Sequence, residues 1–117
     1  MSSFKLKYTL EERELECKKI IKKYPTRIPI ICEKSKNSNA VNLDKNKYLI
    51  PDNFSFSQFI YIIRKRLKLQ PEQGLFFFIN NELPLANQMM RDIYEKYKDE
   101  DGFLYVTYSK ENIFGSK

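Results

Sequence analysis

The sequence predicts an α+β domain with one mixed sheet, and three observations carry that prediction. Short runs of β-branched and aromatic residues stand at Arg27–Lys34, Lys47–Pro51, Leu75–Ile79 and Phe103–Tyr108, each bounded by Pro, Asn or Gly. Between and before them lie segments with helical apolar spacing, two of which open on a capping box. The resulting order, helix, strand, strand, helix, strand, helix, strand, intermixes the two element types instead of alternating them strictly. A chain of 117 residues suits a single domain, and a hydrophobic share of 42% with 15% aromatics is enough for a packed core.

Leu10–Lys23 reads as an amphipathic helix with Leu10, Cys17, Ile20 and Ile21 on one stripe and Tyr24 continuing it. Thr9 is its N-cap, and Glu12 completes the capping box. Glutamates fill its first half and lysines its second, which complements the helix dipole. That charge run fits a solvated helix, and its lysine half equally fits attraction of acidic peptides. Pro25 stops the helix. In the strand that follows, Pro29 cannot donate to a ladder, so it belongs near the strand's start or beside an unpaired side. Residues 35–46 form a polar loop. Ser55 and Gln58 cap the next helix, whose inner face is Phe56, Phe59, Ile63 and Leu67, with Ile62 and Arg66 at its margin. The continuous apolar run Leu75–Ile79 is expected to be a central buried strand. Met89–Tyr97 is a short helix, and Asp99-Glu100-Asp101-Gly102 a solvated acidic turn without the ligand order of a calcium loop. From Ser109 onward there is no periodicity, so the tail is expected to be extended.

Composition narrows the chemistry. With no histidine, the commonest general base and zinc ligand are missing, and no base partners any Ser, Thr or Cys. Cys17 and Cys32 lack metal-ligand spacing and read as reduced buried thiols. No catalytic residue, metal site or cofactor is expected. The first residues hold neither an apolar signal core nor a glycine for myristoylation, and no run is long enough to span a bilayer. Membrane association is therefore expected only through modification or partners. A net charge of +6 admits nucleic acid, an anionic membrane or acidic peptides. An unconjugated basic module binding protein or nucleic acid is the alternative reading. No RNA- or DNA-binding motif supports it, and nucleic acid is not an expected partner.

Several ordered stretches resemble the GABARAP-like autophagy modifiers: KKIIKKYPTRIPIICEK (18–34), LDKNKYLIP (43–51), QFIYIIRKRLKL (58–69), LFFFINN (75–81), DIYEKYKDEDGFLYVTYS (92–109) and NIFG (112–115). The resemblance implies a ubiquitin-like β-grasp fold with two additional N-terminal helices, the first over Ser3–Tyr8. It divides the chain into a helical extension (1–25), the β-grasp core (26–109) and a tail (110–117). It implies that a cysteine protease cuts between Gly115 and Ser116, with Phe114 fixing the register. Activating and conjugating enzymes then carry Gly115 to the amine of phosphatidylethanolamine on the autophagosome membrane. The protein is expected in the cytoplasm and, once lipidated, on autophagosome or vesicle membranes. It also implies that the edge strand Lys47–Pro51 accepts an aromatic-x-x-aliphatic peptide from autophagy receptors. One pocket would be Glu16, Ile20, Pro29, Ile31, Lys47, Leu49 and Phe103; the other Tyr48, Ile50, Pro51, Phe54, Phe59, Ile62 and Arg66. Lys45, Lys47 and Arg27 would meet acidic residues before the aromatic. Leu10, Cys17, Phe54 and Lys110 depart from the family's usual residues, the first two where the N-terminal helix packs and Phe54 in the groove.

Overall fold

The computed structural model describes residues 2–111. Helices α1 (Ser3–Lys7) and α2 (Leu10–Lys23) lead into β1 (Arg27–Lys34) and β2 (Lys47–Pro51), then α3 (Phe56–Arg66), β3 (Phe76–Phe78), α4 (Met90–Tyr97) and β4 (Leu104–Ser109). The sheet order is β2-β1-β4-β3. β1 runs antiparallel to β2 and parallel to β4, and β4 runs antiparallel to β3. The α+β class and the mixed sheet are as predicted. Both capping boxes form, with Glu12 and Gln58 returning the bond to the backbone of Thr9 and Ser55.

Alternation along β1 buries both its faces. Ile28, Ile30 and Cys32 join Leu104, Val106 and Tyr108 in the main core under α3 and α4, where Phe56, Phe59, Ile63, Met90 and Ile93 meet them. Ile31 turns the other way and packs with Phe103, Cys17 and Phe4 beneath α1 and α2. The sheet is thus the middle layer of three. Phe4 anchors α1 edge-on to Phe103, with ring centres 5.4 Å apart. Glu33 holds the same helix by accepting from the Ser2 hydroxyl (2.6 Å), the Ser3 hydroxyl (2.5 Å) and the Phe4 amide (3.2 Å).

Four expectations change. The apolar run at 75–79 is an edge strand, β3, because the parallel β1–β4 pair takes the centre. It is nonetheless covered, with Phe77 wedged among Phe56, Phe59 and Tyr108. The inner line of α2 runs through Arg13 and Cys17, whereas Ile21 and Tyr24 are 40% and 37% exposed. The acidic turn is also not a solvated one. Asp101 is 3% exposed and accepts from Arg13 Nη1 at 2.6 Å, the Tyr105 hydroxyl at 2.5 Å and the Phe103 amide at 2.8 Å. A buried carboxylate is costly unless fully partnered, and here three donors surround it. Gly102 completes that turn with φ +95°, and a Cβ there would stand 2.7 Å from Cys17 Sγ, so glycine is required twice over. Ser109, expected in the tail, is a buried residue of β4.

Lys5 adds a second clamp, its ammonium 2.5 Å from Asp99. Partial burial penalises the Asp99 charge, yet hydrogen bonding from Lys5 and the Asp101 backbone, with the charges of Lys5 and Arg13, holds its carboxyl below the usual range. A carboxyl depressed in the folded state stabilises above its unfolded value, near pH 4, and loses that contribution as pH falls through the lowered folded value. The gap in urea midpoint between the native chain and Lys5→Ala should therefore be full at pH 7 and close below about pH 4. A gap independent of pH would show that Lys5 acts by packing alone.

Candidate functional site

The element that offers itself to a partner is β2. It pairs only with β1, so its outer edge is open among the described residues. The register sets Pro29 opposite Leu49 and Ile31 opposite Lys47, so these side chains share the α1/α2 face, and Arg27 faces Pro51. Tyr48 and Ile50 point to the opposite, α3 side, where they are buried. Pro29 fits β1 because its nitrogen faces away from β2, just before the β4 pairing begins at Ile30.

The edge strand thus separates two apolar faces. On the α2 side, partly buried Leu49 and Ile20 stand beside buried Pro29, Ile31 and Phe103, the last two 1% and 0% exposed. Lys47 closes one end by pairing with Glu16 of α2, and its ammonium also stands 5.6 Å from the Phe4 ring centre. Partial burial lowers the Lys47 pKa. On the α3 side, half-buried Phe54 and Ile62 border a floor of Tyr48, Ile50 and Phe59. Tyr48 and Phe59 meet edge-to-face at 6.4 Å, and the Tyr48 hydroxyl donates to the Lys45 carbonyl at 2.9 Å. Arg66 forks onto Asp44 at 2.9 and 3.2 Å.

The expected groove residues therefore gather around one strand, with two rearrangements. Pro51 lies by alternation on the Lys47–Leu49 face and not with Tyr48 and Ile50. Arg27 sits opposite Pro51, whereas Lys45 and Lys47 lie at the other end of β2, roughly 13 Å away at strand rise. One short acidic segment ahead of the aromatic cannot meet all three. Phe4 and Asp44 were not legible as site residues: Phe4 carries the ring beneath Lys47, and Asp44 holds Arg66. The i,i+4 spacing of Phe4 and Tyr8, which puts two aromatics on one helical face, was the available signal for Phe4, and Asp44 had none. Gly115 and Ser116 lie outside the described residues.

The thiols offer no nucleophile at neutral pH. Burial pushes Cys17 up to about 11, and full burial carries Cys32 still higher.

Residues 12–115 match the model of the family described as autophagy protein Atg8, ubiquitin like. The chain belongs to that family. Autophagy-related protein 8B of Oryza sativa subsp. indica is 53% identical over 114 residues, 97% of this chain and 96% of its own length. The crystal structure of Trypanosoma brucei ATG8 superposes with a TM-score of 0.89 at 43% identity, covering 93% of this chain and 94% of that one. A Plasmodium falciparum Atg8, solved in complex with a Plasmodium falciparum Atg3 peptide, gives a TM-score of 0.86 at 38% identity over 95% of this chain and 98% of that one. The fold of this Atg8-family chain is accordingly the ubiquitin-like one, with α1 and α2 preceding the sheet.

Proposed function

We propose that this Atg8-family chain is a conjugated modifier and adaptor in autophagy with no catalysis of its own. Gly115 is the residue joined to phosphatidylethanolamine after a cysteine protease removes Ser116-Lys117, and activating and conjugating enzymes carry it there. The chain resides in the cytoplasm and moves to the autophagosome membrane on lipidation. No helix among the described residues is long and apolar enough to cross a membrane, so the two acyl chains would supply the anchor, at about 0.8 kcal/mol per buried methylene.

The observation that carries the adaptor half is the open edge of β2 with apolar side chains on each of its two faces. A peptide strand added there places alternate side chains to opposite faces, which suits an aromatic and an aliphatic anchor three residues apart in a receptor or adaptor segment. The Atg3 peptide held by the Plasmodium relative supports peptide binding by this fold. Cations at both ends, Lys45 and Lys47 at one and Arg27 at the other, favour peptides with acidic flanks.

The test is Leu49→Ala and Ile62→Ala, one for each face. Both side chains are only partly buried, so their removal costs less packing than truncating a fully buried residue. Tyr48 is unsuitable because it is 4% exposed and packs on Phe59, and truncation there would open a core cavity. Each substitution should weaken an aromatic-x-x-leucine peptide by about 2 kcal/mol in calorimetry. Unchanged affinity in both folded variants would sink the groove assignment.

A further inference from the structure

The open edge of β2 is partly shut by the chain itself. In an antiparallel ladder, residue pairs alternate between those that exchange hydrogen bonds and those whose backbone groups point outward. Cys32 donates to the Asn46 carbonyl at 2.7 Å and Asp52 to the Thr26 carbonyl at 3.0 Å, so the bonded pairs are the even-numbered ones. Lys47, Leu49 and Pro51 therefore turn their backbone groups to the free edge. Proline has no N–H, which leaves three outward carbonyls and the amides of Lys47 and Leu49. The Pro51 carbonyl accepts from the Phe54 amide at 3.1 Å. The Leu49 carbonyl accepts from Arg27 Nη1, also at 3.1 Å.

We propose that Arg27 is a latch on this edge: its guanidinium holds the Leu49 carbonyl that an incoming strand must use, and a peptide carboxylate is what draws it away. The proposal rests on the groove reading and adds a regulation to it. The geometry makes the latch local. Arg27 springs from the strand position opposite Pro51 and reaches across β2 to the outer side of Leu49, two residues back. A charged side chain laid over an edge is one of the ways proteins block unwanted strand pairing. The block is selective, because a guanidinium that leaves a neutral carbonyl for a carboxylate exchanges an ordinary hydrogen bond for a charge-assisted, bidentate one. Two other groove cations are held by carboxylates, Lys47 by Glu16 and Arg66 by Asp44. Those two, however, bind side chains and leave the backbone edge untouched. Arg27 alone of the three occupies a backbone acceptor of the edge. Beside it lies a cavity of about 210 Å³ bordered by Pro25, Asp52, Arg91 and Glu95, which gives the displaced side chain room to turn.

The latch inverts the usual expectation for a basic residue at a binding site. Arg27→Ala should tighten a neutral aromatic-x-x-leucine peptide by about two- to tenfold, the net worth of one hydrogen bond no longer broken. The same peptide with glutamates on both flanks should bind the native chain better than its neutral form, and Arg27→Ala should shrink that preference. Calorimetry on the full chain and its variant, with the two peptides, reads both effects. A neutral peptide that binds Arg27→Ala with equal or lower affinity overturns the latch while leaving the groove standing. Failure of both peptides to bind the native chain overturns the groove and the latch together. In the peptide-free protein, the Leu49 carbonyl-carbon resonance should shift on Arg27→Ala by more than those of Lys47 and Pro51. An unmoved Leu49 resonance overturns the latch whatever the peptides do.

Discussion

Gly115→Ala should leave the chain with its last two residues still attached, or cut but unlipidated. The expected reaction begins with a protease thiolate attacking the Gly115 carbonyl carbon, after which the Gly115–Ser116 bond breaks and Ser116-Lys117 leaves as a free amine. Water then releases Gly115 as a carboxylate. Every later step would reuse that carbonyl: a nucleoside triphosphate activates the carboxylate as a mixed anhydride, an enzyme thiolate displaces the phosphate to give a thioester, and the amine of phosphatidylethanolamine displaces the thiolate to give the amide. A residue without a side chain can enter a narrow channel and present its carbonyl from either face, whereas a Cβ misplaces it. A displacement of about 1 Å at a reacting centre costs roughly a hundredfold in rate. Deleting Ser116 and Lys117 should bypass the protease and still allow lipidation. Mass spectrometry after incubation with the cognate protease reads the cleavage directly. A product ending anywhere but Gly115, or full-rate lipidation of Gly115→Ala, would overturn the assignment.

The second large effect is expected far from the edge strand. Asp101→Ala should cost up to about 3–5 kcal/mol of stability, since removing the buried carboxylate leaves Arg13 with only the Tyr8 carbonyl and Asp99 at 3.9 Å. Arg13, 9% exposed, would lose its 2.6 Å partner, and the Tyr105 hydroxyl and Phe103 amide would lose theirs. A loss of that size is a large part of the 5–15 kcal/mol typical of a domain. Arg13→Ala should cost less, because Asp101 keeps its bonds from Tyr105 and Phe103. Urea unfolding of both variants tests the order; equal, small losses would show that the cluster is solvated in solution. Phe103 belongs both to this turn and to the buried residues beside Leu49, so Asp101→Ala should also weaken peptide binding.

The elements were largely legible because their signals are local. Thr9 with Glu12 and Ser55 with Gln58 fix two helix starts within hydrogen-bonding reach of each other, so sequence spacing alone reveals them. β1 and β2 fell where β-branched residues sit between proline and polar breaks. The inner face of α3, Phe56, Phe59 and Ile63, follows from helical periodicity and is buried as expected. The site was legible only through its likeness to the GABARAP-like modifiers. Strand alternation then corrected the placement of Pro51, and the register separated Arg27 from Lys45 and Lys47.

By itself the sequence determined the α+β class, the cap-defined helices, the four strand segments, the lack of a histidine base and the glycine near the end of the chain. Tertiary structure decided which strand lies at which edge. The apolar run of β3 marks burial, and burial can come from a helix laid over an edge as well as from flanking strands. It also decided the fate of Arg13 and Asp101, whose charges promise exposure until a partner 88 residues away cancels the cost of burying them. Arg27 is a third case. Its charge was visible in the chain, but a hydrogen bond to a carbonyl across the ladder depends on register, and register is set only when the strands pair.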